Sequence, residues 1–333
     1  MRAVVYAGGG GPEVVEIVER DKPTLASGEA LIRVHAAGLN RPDTQQRKGL
    51  YPPPPGASDI AGLEIAGVVE GVAQDVKWPR VGDAVCALVA AGAHAEFCSV
   101  PARQCLPIPK GLSFAQGAVL PEVFFTTWNS MILLGRLAEG ETLLIQGGTS
   151  GVGLAAMQVA RHLRNAQVIA TAGTEEKLAV CRSYGAALAI SYKGNWDEEI
   201  RAFGPRGVDL VLDGQGGSYS NRHLQLLAED GRLVLLATHE NTLSEVNVRL
   251  ILRRRLTLTG TTLRPRSVAY KGLLADALRS EVWPLIESGK INMPIHASFS
   301  LGSIAEAHEM LDSGQHIGKL AIAVTDRADE IPG

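Results

Sequence analysis

A chain of 333 residues, 46% apolar and 20% charged, is long enough for one large domain or two ordinary ones and apolar enough to bury a sizeable core. Its formal net charge of −3 gives no global attraction to nucleic acid or anionic lipid. No apolar run approaches the ~20 residues of a membrane span.

Short strand-like pieces dominate the first third, at 2–6, 14–18, 30–35, 64–72, 83–90 and 95–100. Gly and Pro turns at 8–12 and 79–83 separate them, a pattern that predicts a compact antiparallel barrel. The N-terminus begins directly as a strand, without the pattern of a signal or transit peptide. Cys86, Cys98, Cys105 and Cys181 form no C-x-x-C pair, and with the missing leader they predict a cytoplasmic protein. The break around Pro107 and Pro109 ends this region. Ser113 is placed to cap a helix over 114–119, and a second helix is expected over 125–134.

The stretch ETLLIQGGTSGVG, residues 141–153, organises the middle of the chain. Leu143, Leu144 and Ile145 suit a buried parallel strand. Gly147 and Gly148 allow a sharp turn, Gly151 and Gly153 a close backbone approach, and 152–160 reads as a helix. Strand, glycine turn and helix N-terminus make an anion site, for which the pyrophosphate of a dinucleotide is the expected occupant. The spacing Gly148-x-x-Gly151-x-Gly153 departs from G-x-G-x-x-G and alone is weak. Context strengthens it: further strands at 167–173, 188–191, 208–213 and 232–236 alternate with helical stretches, as in a parallel sheet covered on both faces, and a sixth strand follows at 256–260. A helix over 270–288, kinked at Pro284, a helix over 304–311 and a strand over 318–324 follow. This tail is assigned back to the barrel. A dinucleotide-binding domain, 123–265, is therefore expected as an insertion in a catalytic domain, 1–122 and 266–333, with the active site in the cleft between them.

The second strand of the sheet ends in Ala172-Gly173-Thr174, without the carboxylate that favours NAD. Lys177 follows in the next helix and Tyr192 after the third strand. A lone lysine is usually just solvated, and Glu175 and Glu176 are near, but Gly173, Lys177 and Tyr192 together favour NADP. Asp213-Gly214-Gln215-Gly216-Gly217 ends the fourth strand where cofactor should pass. Asn40, Asp43, Arg47 and Tyr51 share a loop-rich segment stiffened by four prolines; Asp43 and Arg47, four apart, read as a helix ion pair and scaffold. The histidines show no metal-site spacing, and there is no G-x-S-x-G elbow. Ser150 reads as a phosphate donor rather than a nucleophile.

The barrel, the central glycine turn and Ile317-Gly318-Lys319 resemble the medium-chain dehydrogenase/reductase superfamily. The run from Asn40 to Tyr51 resembles its zinc-free quinone oxidoreductase branch, relatives of zeta-crystallin. Pro52–Ser58, Pro121-Glu122, Ser150–Gly153 and Gly216–Tyr219 resemble the p53-inducible subgroup. The resemblance implies an α/β protein: a Rossmann-type doubly wound parallel sheet inserted after an antiparallel-barrel (GroES-like) catalytic domain. It implies NADPH-dependent reduction of a small-molecule quinone by a homodimer joined through edge strands of the nucleotide domain. No metal is expected, since Asn40 stands where a zinc enzyme has Cys and Leu63, before Glu64, where it has His. Tyr51 and Asn40 are expected at the substrate. Thr126, Gly148, Ser150, Gly151, Val152, Gly173, Lys177, Tyr192, Leu263 and Lys319 are expected at the cofactor. The chain departs from the family at His239-Glu240-Asn241 and at Thr261-Thr262-Leu263-Arg264, expected at the nicotinamide end. One rival reading is a reductase of enals or enones on the same scaffold. Another is a structural or AU-rich-RNA-binding crystallin-like protein, which no basic, aromatic-interleaved surface supports.

Overall fold

A computed structural model of the chain describes residues 1–238 and 243–332; His239-Glu240-Asn241 lies outside them. The chain forms two compact units, Met1–Phe125 with Leu263–Gly333, and Thr126–Thr262.

The first unit is built on the long strand Glu29–Leu39. Its outer half pairs antiparallel with Phe97–Pro101 and its inner half with Lys319–Ala323, while Glu64–Val72 runs along most of its length. Register shifts at Leu31/Ile32 and Val34/Ala36 let one strand serve three partners, because an irregularity bends a strand and sharpens its twist. Ala84–Leu88 and Cys105–Pro107 extend the sheet on one side, and Ile295–Ser300 on the other. Ile32, Val34, Leu39, Ile65, Val69, Val85, Leu320 and Ile322 meet in its core. Arg2–Tyr6 and Val15–Glu19 form a separate antiparallel pair.

Three local expectations are corrected here. The segment after Asn40 is not loop-rich but opens with a helix, Arg41–Arg47, and Asp43 and Arg47 do not pair. Asp43 Oδ2 instead accepts from the Asn40 N–H at 2.8 Å, a donor the helix start leaves open. Arg47 reaches Asp312 Oδ2 at 2.5 Å and the Gly10 carbonyl at 3.1 Å. The helix expected over 270–288 is three pieces: Val268–Ala277, a π segment Leu278–Val282, and Trp283–Glu287. Pro284 brings no N–H, and the wider π turn before it absorbs the missing bond. Strand Ile295–Ser300 was not anticipated.

The second unit is a six-stranded parallel sheet. Its strands lie in the order Leu188–Ser191, Gln167–Ala172, Thr142–Gln146, Val208–Asp213, Leu227–Leu235, Thr257–Gly260. By sequence this is 3-2-1-4-5-6, the doubly wound order of dinucleotide-binding folds. The order reverses beside Thr142–Gln146, and ligands of such sheets bind outside the carboxyl ends at that point. Leu144, Ile169, Val211 and Leu233 pack with Trp196 and Ile200 from the helix Trp196–Phe203. The helix expected over 125–134 begins earlier, as Pro121–Thr127, and continues as a π-helix, Trp128–Leu134. Among the described residues no helix is long and apolar enough to cross a membrane.

Candidate active site

In the second unit the glycine turn joins the strand Thr142–Gln146 to the helix Gly151–Arg164. Gly147 has φ +88°, a left-handed conformation that a side chain would strain. A Cβ on Gly153 would lie 2.6 Å from the carbonyl oxygens of Gly147 and Gly148, so the helix start can press on the turn only as glycine. Ser150 is the N-cap: its hydroxyl accepts from the Gly153 N–H at 3.0 Å and donates to the Gly147 carbonyl at 2.8 Å. The expected phosphate donor is thus also the structural cap. Gly151 and Val152 are the first helical residues, whose N–H groups have no helix carbonyl to reach. With the helix dipole behind them, they fit a pyrophosphate.

At the end of the second strand, a Cβ on Gly173 would land on the Tyr192 hydroxyl. Thr174 caps the next helix by accepting from the Lys177 N–H at 3.3 Å, which sets Lys177 in its first turn. Lys177 is half-buried, and burial holds its ammonium below the ordinary lysine range, with Glu176 opposing. The acid ending the fourth strand is turned inward. Asp213 is buried and accepts from the Gln215 N–H (2.8 Å), the Gly216 N–H (2.9 Å) and His223 Nδ1 (3.0 Å). Burial pushes its carboxyl up, but the His223 contact and the two N–H groups outweigh it and hold it below the usual range. The other nitrogen of His223 lies 3.3 Å from Gln146 Oε1. Thr126, half-buried, opens this unit.

In the first unit, two expected site residues meet each other. Lys319 Nζ contacts Asn40 Oδ1 and stands 2.8 Å from Glu64 Oε1 and 3.4 Å from the Leu39 carbonyl. Asn40 Nδ2 donates to the same Glu64 oxygen at 2.9 Å. Glu64 Oε2 accepts from the Glu122 N–H at 2.7 Å. All three side chains are buried, and a Cβ on Gly38 would land on the Glu64 carboxylate. This ammonium–carboxylate–amide cluster was not anticipated. Its one trace in the sequence is an acid opening the apolar strand Glu64–Val72.

Tyr51 stands apart from that cluster, half-buried, with the Arg264 guanidinium over its ring at 5.4 Å from the centroid. Burial raises its phenol pKa; Arg264 opposes and Glu122 adds. Leu263, beside Arg264, is buried. The four cysteines are buried and unlinked, and burial pushes Cys98 up to about 12 and Cys181 up to about 11. None is a ready nucleophile.

Residues 26–110 match the family described as the alcohol dehydrogenase GroES-like domain, and residues 151–278 the family described as zinc-binding dehydrogenase. The quinone oxidoreductase of Rattus norvegicus is 30% identical, over 97% of this chain and 97% of its own. The synaptic vesicle membrane protein VAT-1 homolog of Danio rerio is 29% identical, over 99% of this chain and 71% of its own. Among solved structures, the Escherichia coli quinone oxidoreductase complexed with NADPH matches with a TM-score of 0.87 at 27% identity, over 97% of this chain and 100% of that one.

Proposed function

The chain belongs to the medium-chain dehydrogenase/reductase superfamily, and from that premise we propose that it is an NADPH-dependent quinone reductase that works without zinc. The observation that carries the cofactor is the pocket at the end of the second strand. Gly173 lets the Tyr192 hydroxyl pack against it, Lys177 follows in the capped first turn, and the strand itself ends without the carboxylate that would repel a 2′-phosphate. The rat quinone oxidoreductase, similar along nearly the whole chain, supports the quinone as acceptor.

The zinc-free reading rests on donor chemistry. A catalytic zinc takes three Cys, His or carboxylate ligands around an open position. Here Asn40 and Leu63 hold the ligand-like positions, and the carboxylate bonded to the Asn40 amide, Glu64, is committed to the Lys319 ammonium. Among the described residues no group of three His, Cys, Asp or Glu is placed to hold a metal. These residues do not fit the ion.

The reduced nicotinamide supplies a hydride equivalent. The protein's part is binding, orientation and weak hydrogen bonding. Tyr51 stays a neutral hydroxyl donor at physiological pH, because its pKa lies above the ordinary phenol value. A strong protein acid is not required, since reduced quinones carry acidic hydroxyls and exchange protons with water. Asn40, bonded on both sides of its amide, anchors the start of the helix that leads to Tyr51. The protein acts as a homodimer through the edge strand Thr257–Gly260. The deciding measurement is NADPH oxidation with ortho-quinones, para-quinones, enals and enones. Turnover of quinones is expected; turnover of enones with quinones left untouched would overturn the reading.

A further inference from the structure

Tyr51 lies on a stretch with little packing of its own. Lys48, Gly49 and Leu50 are exposed, Leu50 at 71%, and four prolines follow. Two side chains from far along the chain hold this stretch: Asp312 Oδ1 accepts from Lys48 Nζ at 3.2 Å, and Arg264 reaches Tyr51 itself. Arg264, 7% exposed, donates from Nη1 to the Tyr51 carbonyl at 3.2 Å and from Nη2 to Gln46 Oε1 at 2.7 Å. Its Nε donates to the Ala90 carbonyl at 2.6 Å, and its guanidinium covers the Tyr51 ring. Its own backbone is held in turn, because the buried Lys271 donates from Nζ to the Arg264 carbonyl at 3.1 Å. The three acceptors of Arg264 are all uncharged, so no bonded carboxylate cancels its field at the tyrosine.

We propose that Arg264 is the positioning residue for Tyr51, gripping it by backbone and ring together, with Gln46 and Ala90 fixing the guanidinium and Lys271 fixing its backbone. Only a planar guanidinium satisfies three divergent acceptors while stacking on a ring; an ammonium reaches fewer and does not stack. This inference rests on the quinone-reductase reading for its kinetic consequence, but not for its structural one.

The experiment therefore has two arms. In the first, wild type, Arg264→Gln, Arg264→Lys and Gln46→Ala are digested with trypsin under native conditions, and cleavage after Lys48 is followed by mass spectrometry. Arg264→Gln is expected to raise that rate roughly tenfold or more, as loss of charge-assisted bonds should, with Arg264→Lys and Gln46→Ala in between. In the second arm, kcat and KM for a quinone are measured in the same proteins and in the Tyr51→Ala background. Arg264→Gln should lower kcat/KM in the wild-type background and lose most of that effect once Tyr51 is gone. An unchanged rate of cleavage after Lys48, or an equal kinetic loss with and without Tyr51, overturns the proposal. If Arg264→Gln does not fold, Gln46→Ala alone must still loosen Lys48; if it does not, the proposal falls. Wild type that reduces no quinone defeats the functional reading instead, and the proteolysis arm still decides the role of Arg264.

Discussion

Lys177 and Arg264 show what a single residue reveals in the sequence and what it hides. The proposed ribose site draws only on local residue types: a Gly where an acid would stand, and a Lys one helical turn on. The expected outcome for Lys177→Ala is a selective loss. A charge-assisted hydrogen bond is worth ~1.5–3 kcal/mol, so NADPH affinity should fall roughly tenfold to a hundredfold while NADH affinity barely moves. Calorimetric titration with both cofactors measures this, and equal losses would remove Lys177 from the phosphate site. Arg264 stood out only as part of a stretch expected at the nicotinamide end. Its partner Tyr51 is 213 positions away, and nothing in either neighbourhood encodes the meeting. The same distance in sequence hid Lys319 against Asn40 and Glu64.

Strands were legible where the residues form a continuous apolar run. The strands Leu188–Ser191 and Val208–Asp213 coincide with their apolar runs, and Glu64–Val72 with its own. The helix Val248–Arg254 went unseen because it fully buries no residue: Leu250 and Ile251 pack on the core, but Val248 and Leu252 are 69% and 79% exposed, which blurs its apolar period. Ile295–Ser300 alternates half-buried with exposed positions at the sheet edge and is too short and polar to stand out. The glycine turn makes a sharper claim. Gly153→Ala places a methyl 2.6 Å from two carbonyl oxygens, and backbone cannot swing away as a side chain does. Overpacking of this kind costs ~1–3 kcal/mol. A lowered Tm together with weakened NADPH binding is expected; a variant that binds and melts like wild type would show the close approach to be dispensable.

At the scale of the molecule, stability should depend on pH through a buried histidine. His308 is fully buried in the first unit, with Nε2 3.4 Å from the Tyr6 hydroxyl. Burial, then the charges of His94 and Arg47, push its pKa down to about 3, with Asp312 opposing. Folded protein keeps it neutral, whereas an unfolded histidine takes up a proton near pH 6.5. Its contribution is thus complete above about 6.5 and is lost as pH falls toward 3, at roughly 1.4 kcal/mol per pH unit for one proton. His35 is depressed in the same direction, chiefly by burial, and so adds to the stability lost as pH falls below the ordinary histidine value. Urea melts between pH 7 and 4.5 should show His308→Gln flattening part of the slope; an unchanged slope would mean His308 does not titrate on unfolding. Assembly is testable too. Thr257–Gly260 is the last strand of its sheet, and Leu258 is 38% exposed. Light scattering should report a dimer mass for wild type and a monomer mass for Leu258→Lys, since a buried charge at a paired edge is strongly unfavourable.

The tyrosine hydroxyl lying over Gly173 also limits how this lineage could change its redox currency. A carboxylate that recruits NADH has two neighbouring places to appear. At Gly173 a side chain would have to push the exposed Tyr192 ring aside. At Thr174 the residue is a helix cap, and aspartate caps as well as threonine. Thr174→Asp therefore keeps the helix start while setting a negative charge beside the second strand, and in a cofactor competition assay it should shift preference toward NADH. Of the two places, Thr174 is the one where the new charge displaces no neighbouring ring.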